Sequence, residues 1–371
     1  MADRSADARV YAGWKRRLFV VDLLLTAGFF AVILCSGFSA RLSEEIAARI
    51  PGAWPFQVAA YVGFLWIAST LILFPLSWFG SFKLEHRFGL STQRFSQWLL
   101  DYGKRFALSG GMGLLLVEVL GFLLRRTPES WWLWAAVLWM GWEVLMARVL
   151  PTLLIPIFYK QSPLANESLR QRLFSFVTRC GAQVEGIYEI NLSKTTTKAN
   201  ACLCGLGRTR RILVSDTLIA AYPPEEVEVV LAHEVGHHAL HHIGILLVVS
   251  TIAAGISFWG VDRWARLAFA QLGIAGLADL AALPVLGLGL FVANLILMPV
   301  INGISRYLEN QADEFALNKT RSPGAFIQTM RRLAEQNLAE LQPPAWVEWL
   351  LYDHPPIAKR IALGERWKDN G

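Results

Sequence analysis

The five-residue segment 233–237 places two imidazoles and a carboxylate within about one turn of a predicted helix: His233, Glu234 and His237. Residues four apart lie on the same face of a helix, so both imidazoles point the same way. Such a pair can bind one Zn²⁺ ion, and the glutamate between them can accept a proton from a metal-bound water. Two prolines and two glutamates at 223–226 start the helix, as is typical of a helix N-terminus.

A catalytic zinc needs a third protein ligand and one open position. A third histidine at the metzincin spacing is excluded, because Leu240 and Ile243 stand where glycine and histidine are required. Glu309 and Asp313, four apart on a downstream predicted helix, offer another solution. Glu309 could bind the metal while Asp313 holds a histidine N–H. For Glu309, a surface carboxylate near the membrane is the alternative.

Further histidines surround this motif. His354 precedes two prolines and therefore has a stiff, extended backbone after it. We expect it to face a developing oxyanion as a second electrophile beside zinc, with a simple turn histidine as the alternative. Directly after the motif, His238, His241 and His242 are more typical of a helix surface or a membrane interface than of metal ligands.

Composition places these residues in a membrane protein. The chain is 54% hydrophobic and 17% charged, with a mean hydropathy of +0.39. A span of the hydrocarbon core needs about 20 apolar residues. We predict six such spans, at 18–38, 56–77, 107–124, 131–157, 243–262 and 282–302. The fold class is therefore mainly α, a polytopic membrane helical bundle with a zinc peptidase region on its cytoplasmic side.

Charge distribution gives the orientation. Lys and Arg are dense in 4–17 and 83–105 and sparse in the alternate connections, so the positive-inside rule makes those two segments cytoplasmic. Both termini and the zinc motif then face the cytoplasm. This asymmetry accounts for the net charge of +6, so no nucleic-acid partner is expected. Cys202 and Cys204 form no CxxC motif, which favours a reduced compartment without disulfides.

The chain divides into two predicted regions. Residues 1–157 form an N-terminal transmembrane region of four spans, and 158–371 form a zinc metallopeptidase region that includes the last two spans. Within the second region we predict a helix and a small β-sheet, at 163–180, 184–191, 200–206 and 211–215. After the sixth span we expect two further helices at 304–318 and 323–341, the second with Ser322 as N-cap.

These motifs together resemble the integral-membrane, zinc-dependent type I CAAX prenyl proteases, which are gluzincin metallopeptidases. The resemblance runs through most of the chain. Its elements occur in order at 85–91, 156–158, 162–164, 193–194, 200–201, 212–218, 233–237, 309–313 and 354–356. The HExxH motif alone is moderately specific, whereas this ordered series between membrane spans is strongly specific.

The resemblance implies one zinc ion per chain, bound by His233, His237 and Glu309. It also implies that Glu234 is the general base and that Asp313 has a structural or supporting role.

For the substrate, the resemblance places His354 and Arg360 near the bound peptide. It matches Asn200 and Ala201 to the edge strand that pairs with the substrate backbone, which is a common way to recognise an extended peptide. It further implies a large chamber enclosed by the membrane helices.

The sequence thus predicts a metalloendopeptidase that cuts near the C-terminus of lipidated or membrane-associated substrates. A quality-control protease that needs no prenyl group is the alternative, and a scaffold that merely retains zinc is a third. An intact Glu234 argues against the scaffold. Peptide or protein substrates and the lipid bilayer are the expected partners. The expected location is a bacterial plasma membrane or an ER membrane, with the zinc site toward the cytoplasm.

Overall fold

The computed structural model describes residues 2–370, which are mostly helical. Its helices are α1 (Ala2–Cys35), α2 (Phe38–Arg49), α3 (Trp54–Trp78), α4 (Leu84–Arg87), α5 (Phe95–Arg126), α6 (Trp131–Val149), α7 (Ile155–Phe158), α8 (Glu167–Arg179), α9 (Asp216–Ala221), α10 (Pro224–Ala239), α11 (His242–Leu272), α12 (Ala282–Thr320), α13 (Pro323–Asn337), α14 (Ala345–Leu351) and α15 (Ile357–Asn370). Its strands are β1 (Gln161–Pro163), β2 (Ile187–Ile190), β3 (Ala201–Cys204) and β4 (Arg211–Ser215).

Six helices within residues 2–370 are long and apolar enough to cross a membrane, which confirms the predicted number of spans. They are α1, α3, α5, α6, α11 and α12, and π-helical segments extend two of them, at Phe79–Lys83 after α3 and Leu150–Leu154 after α6. In the most apolar window of each span, only 6% to 22% of the residues are buried within the protein. The spans therefore pack sparsely against one another.

Helix α2 was not predicted, and it closes the end of the bundle away from the histidine motif. Ser39 on α2 lies within 2.7 Å of the Tyr61 hydroxyl and donates to the carbonyl of Ala281 at 3.1 Å. The connection between α11 and α12 thus packs against α2 at this end. The helix was missed because its 12 residues are too few for a membrane span and include four charged side chains.

Helix α12 is continuous for 39 residues, where the sequence suggested a membrane span followed by a separate polar helix. The change from apolar to polar composition near residue 303 does not interrupt the backbone hydrogen bonds. Gly303 lies at this junction and costs a helix only about 1 kcal/mol relative to alanine. Pro299 also lies inside the helix without ending it. One rigid element therefore leads from the membrane to Glu309.

The sheet has the order β1-β2-β4-β3, with β2 parallel to β4 and the other pairs antiparallel. β4 matches its predicted range, β2 and β3 are shorter than predicted, and β1 was not predicted. A hairpin joins β3 to β4. At its turn Gly205 has a φ of +93°, and a Cβ there would lie 2.3 Å from the carbonyl oxygen of Thr209, so only glycine fits.

The largest apolar core lies outside the spans, between the sheet and helices α8, α10 and α13. It includes the fully buried Leu173, Phe176, Ile212, Leu231 and Phe326. Because α10 is at its centre, this core fixes the helix that carries the histidine motif. The predicted boundary after residue 157 falls inside the short helix α7, and the division into two regions stays a prediction.

Candidate metal centre

Helices α10 and α12 approach each other closely at Gly236. A Cβ at this position would lie 3.2 Å from the Cα of Ala312 and 3.2 Å from the Cβ of Phe315, so a larger residue would push the helices apart. Gly236 lies between His233 and His237, and Ala312 lies three residues after Glu309. The close contact therefore brings the motif of one helix against the carboxylate of the other.

Three side chains converge at this contact. The Nε2 atoms of His233 and His237 lie 3.2 Å apart, Oε2 of Glu309 lies 3.1 Å from His233 Nε2, and Oε1 of Glu309 lies 3.2 Å from His237 Nε2. A tetrahedral zinc with bonds of about 2.0–2.2 Å separates its ligand atoms by about 3.3–3.6 Å. These residues form a group that could hold one metal ion.

The hydrogen bonds around His233 show that a cation fits between these atoms. Its Nδ1 lies 2.9 Å from Oδ1 of Asp313, a carboxylate that can only accept, so Nδ1 carries the hydrogen. The neutral ring then presents a bare Nε2 to Glu309. Oε2 of Glu309 is buried and accepts no hydrogen bond from the described residues. Facing lone pairs at 3.1 Å require a positive charge between them.

The pKa of His233 also indicates that this site favours a positive charge. Burial lowers it, but the neighbouring carboxylates of Asp313 and Glu309 outweigh burial and raise the pKa to about 9. A proton or a metal ion can supply the positive charge that this site favours.

An arginine behind His233 completes its support. Arg360, on α15, is buried and binds Asp313 through two bonds: Nε to Oδ2 at 2.7 Å and Nη2 to Oδ1 at 2.6 Å. Its guanidinium is therefore occupied with Asp313, on the side of His233 away from the metal-binding atoms. Among the described residues its guanidinium bonds to Asp313 and lies 3.4 Å from Nδ1 of His233, and the sequence prediction that Arg360 binds substrate stays a prediction.

A second support was missed from the sequence, namely His242 behind His237. Their Nδ1 atoms lie 2.9 Å apart, and His242 Nε2 lies 3.2 Å from Oε1 of Gln311. The amide oxygen accepts the Nε2 hydrogen, which leaves His242 Nδ1 to accept from His237. The Nε2 of His237 is then bare and available to a metal. His242 is 1% exposed, contrary to the predicted surface position, whereas His241 is exposed.

Glu234 lies between the metal-binding group and the edge strand. Its Oε2 accepts the backbone N–H of Leu203 at 3.2 Å, so the carboxylate is anchored to β3. This contact fixes the proposed base relative to the strand edge on which the predicted substrate residues lie. Asn200 precedes β3 and is exposed, and Ala201 is its first residue and half-buried.

His354 reaches the metal-binding group from the opposite direction. Its Nε2 lies 3.4 Å from Oε2 of Glu309, and its Nδ1 bonds to Asp353 at 2.9 Å. The Asp353 carboxylate is the main reason that the pKa of His354 is raised above its ordinary value, which favours the imidazolium. About half of the side chain is exposed, so it can donate to a bound group. The side chain thus lies beside the metal-binding group, and its role as an oxyanion donor stays a prediction.

Two family models match this chain and together cover most of it. Residues 163–367 match the model of peptidase family M48, and residues 2–160 match the model described as CAAX prenyl protease N-terminal, five membrane helices. The chain belongs to peptidase family M48. As an M48 member with this His-His-Glu group it is a zinc-dependent metalloprotease, and its spans make it an integral, multi-pass membrane protein.

Relatives of this M48 peptidase come from bacteria and eukaryotes. The uncharacterized metalloprotease YhfN of Bacillus subtilis is 30% identical over 97% of this chain and 85% of the relative. CAAX prenyl protease 1 of Saccharomyces cerevisiae is 26% identical over 82% of this chain and 71% of the relative. The crystal structure of S. mikatae Ste24p matches with a TM-score of 0.86 at 22% identity, covering 98% of this chain and 90% of that chain, which confirms the fold.

Proposed function

We propose that this M48 peptidase cuts peptide bonds near the C-terminus of lipidated or membrane-associated substrates. One observation carries the proposal: Glu309, the third member of the metal-binding group, lies on the same continuous helix that crosses the membrane. The metal centre is thereby held at one end of the bundle, where membrane-attached peptides are concentrated. Relatives named CAAX prenyl protease 1 extend the proposal to prenylated substrates.

In this mechanism, His233, His237 and Glu309 would hold zinc, which would act as a Lewis acid and lower the pKa of a water molecule. Glu234 accepts the proton of the attacking water and passes it to the leaving amine. Its bond to Leu203 N–H keeps the carboxylate beside the peptide during both transfers. The imidazolium of His354 donates to the oxygen that becomes negative, and such donors matter most where charge develops.

The supporting residues act through the ligands. Asp313 keeps the hydrogen of His233 on Nδ1, and Arg360 keeps Asp313 ionised and in place. We therefore propose a positioning role for Arg360, in addition to the predicted contact with substrate. Ala201 lies on the open edge strand β3, where an extended peptide can add as a further strand. The backbone of Asn200 already bonds to Ser215, so its exposed side chain would contact the peptide.

Cleavage in lipid vesicles tests the substrate class. The reconstituted protein would be given a farnesylated C-terminal peptide and its unlipidated twin, with Glu234→Gln as the inactive control. We expect kcat/KM to be at least about tenfold higher for the farnesylated peptide, a difference of about 1.4 kcal/mol. Equal rates would favour the quality-control reading without a prenyl requirement. If the zinc-loaded protein cleaved no peptide, the remaining hypothesis would be a non-catalytic membrane scaffold that retains zinc.

We also propose that the metal centre faces the cytoplasm, in a bacterial plasma membrane or an ER membrane. The basic segments 4–17 and 83–105 support this orientation. Single cysteines at Val10 and Lys368, in a background without native cysteines, should react with an impermeant reagent from the cytoplasmic side. A cysteine at Leu272, between the last two spans, should react only from the other side. The reverse pattern would overturn the orientation.

A further inference from the structure

Helix α14 and the loop before it carry a patch of exposed apolar side chains. Trp346 and Trp349, three apart on one face of α14, are each 59% exposed, and Leu341 in the loop is also exposed. The opposite face is packed against the protein, since Val347 is buried. Tryptophan is highly buried on average in folded proteins, so two rings this exposed on one short helix indicate a contact surface.

Helix α12 sets the height of α14 relative to the membrane. Asn302 Nδ2 donates to the carbonyl of Leu350 at 2.7 Å. One turn further on, Arg306 Nη1 donates to the carbonyl of Glu348 at 2.8 Å. From Ala282 to Asn302 the helix axis is about 30 Å long, which equals the thickness of the hydrocarbon layer. Helix α14 therefore lies where α12 leaves the hydrocarbon.

A second span gives the same height. Arg16 of α1 pairs with Glu340 in the loop at 2.5 Å, and this carboxylate is buried. Further into the membrane, Phe30 of α1 lies against Gly287 of α12, where a Cβ would be 3.0 Å from the ring. From this contact, Arg16 is about 21 Å away along α1 and Asn302 is about 23 Å away along α12. Two attachments thus place the loop and α14 at one membrane boundary.

The lipid-facing surface of α12 continues to this level. Ile296 and Val300 are exposed within the span, and Tyr307 is exposed just beyond it, on the same face of the helix. Trp and Tyr are enriched where membrane meets water, because their rings combine an apolar body with a polar atom. Within residues 2–370, no group accepts the indole N–H of Trp346 or Trp349, so both are free to bond to a lipid headgroup.

We propose that the exposed face of α14 and its loop inserts into the headgroup layer of the bilayer, on the side of the metal centre. The inference concerns contact with lipid, and it does not depend on the peptidase function. It has a consequence for the site, because only five residues separate Trp349 from His354. Arg306 also donates to the carbonyl of Tyr352 at 2.5 Å, which keeps this connection short and ordered. Contact with the bilayer thereby restrains the segment that carries His354.

Fluorescence quenching in vesicles tests the contact. A bimane label would be attached to a single cysteine at Trp346 or Trp349, in a background without native cysteines and in phosphatidylcholine vesicles. Nitroxide-labelled phosphatidylcholine should quench both labels at least about threefold more than a label at Phe174, as expected for interfacial residues. Iodide on both sides of the membrane should show the reverse order. Ile296→Cys, within the span, is the reference for full contact with lipid.

Phe174 is the matched control because it is an exposed aromatic residue outside the spans, on α8. Two residues before it, Arg172 pairs with Glu225 and Glu228 at the start of α10. The other end of α10 is the one that leads into the span α11. A label at Phe174 should therefore be surrounded by water.

Ala345→Cys keeps both tryptophans and places the label on the same exposed face, so it tests the contact even if a tryptophan variant does not fold. Zinc content and gel filtration show whether each variant is folded. If iodide quenches labels at Ala345 and Trp346 as strongly as a label at Phe174, the proposal is wrong. Labels protected from both quenchers in crowded vesicles, but reached by iodide at one chain per vesicle, would instead assign this face to a second copy of the chain.

Amide hydrogen exchange tests the restraint on His354. In vesicles, the peptide 345–354 should exchange about tenfold faster in Trp346→Ser/Trp349→Ser than in the wild type, because local opening becomes easier when the contact is lost. Phe174→Ser should exchange like the wild type over the same peptide. Unchanged exchange in the double variant would show that the bilayer does not restrain the segment that carries His354.

Discussion

The two halves of the metal centre differ in how firmly the protein holds them. His233, Glu309 and Asp313 are at most 7% exposed, and each contacts another member of the group or a buried supporting residue. On the other half, the side chain of His354 is 52% exposed and strand β3 has an open edge. The buried half is complete without substrate, and the open half is completed by the peptide. Substitutions in the first should change zinc binding, and substitutions in the second should change turnover.

The largest effect is expected in the buried half. Glu309→Ala removes one of three ligands, so zinc should fall from about one equivalent per chain to a small fraction, with loss of activity. Elemental analysis after gel filtration measures this directly. Glu314→Ala, an exposed carboxylate on the same helix, is the control and should keep both. Full zinc and full activity in Glu309→Ala would show that the third ligand lies elsewhere.

Glu234 lies at the junction of the two halves and separates zinc binding from turnover. Glu234→Gln keeps the shape and the bond to Leu203 N–H but removes the base, so kcat should fall by about 10²–10⁴. Zinc content and unfolding temperature should stay at the wild-type values. Near-normal turnover would exclude Glu234 as the base, and loss of zinc would place it among the ligands.

In the open half, His354→Ala removes one donor to the developing oxyanion. We expect kcat to fall by about 10²–10³, the size seen when one such donor is removed, with little change in KM or zinc content. A change confined to zinc content or thermal stability would show that His354 helps to hold the metal and does not act in turnover. The two halves of the centre would then not differ in function.

The smallest effect is expected for the residue behind His237. His242→Phe removes the acceptor that orients the ring, and loss of such a partner weakens metal affinity about 10–100-fold. Competition with a zinc-binding dye measures the affinity without any substrate. His241→Asn, at the neighbouring exposed position with φ +58°, is the control and should bind zinc normally. An unchanged affinity for His242→Phe would show that α10 alone orients His237.

The features that sequence predicted are those with a local signature. The six spans follow from runs of apolar residues, and the positions of His233, Glu234 and His237 follow from helical spacing. Glu309 was placed by the same spacing relative to Asp313. Each of these patterns occupies a few neighbouring residues, so it is visible without knowledge of the fold.

The features that sequence missed depend on contacts between distant segments. His242 supports His237 only because α11 begins beside Gln311 of α12, which is 69 residues away in sequence. The burial of Arg360 against Asp313 joins residues 47 apart in sequence. The hydrogen bonds between the Asn337 side chain and the backbone of Ala199 join residues 138 apart. Packing of the helices brings these pairs together. No periodic pattern in the sequence therefore predicts them.

The uninterrupted course of α12 sets how far the cutting point stands above the lipid. Glu309 is about 40 Å along the helix axis from Ala282, at 1.5 Å per residue. The hydrocarbon layer accounts for about 30 Å of that distance. Roughly 10 Å remains, which an extended chain covers in about three residues. The proposed lipid-anchored substrates should therefore reach the metal only when the few residues next to the lipid are extended, and compact domains lying directly on the bilayer should escape cleavage.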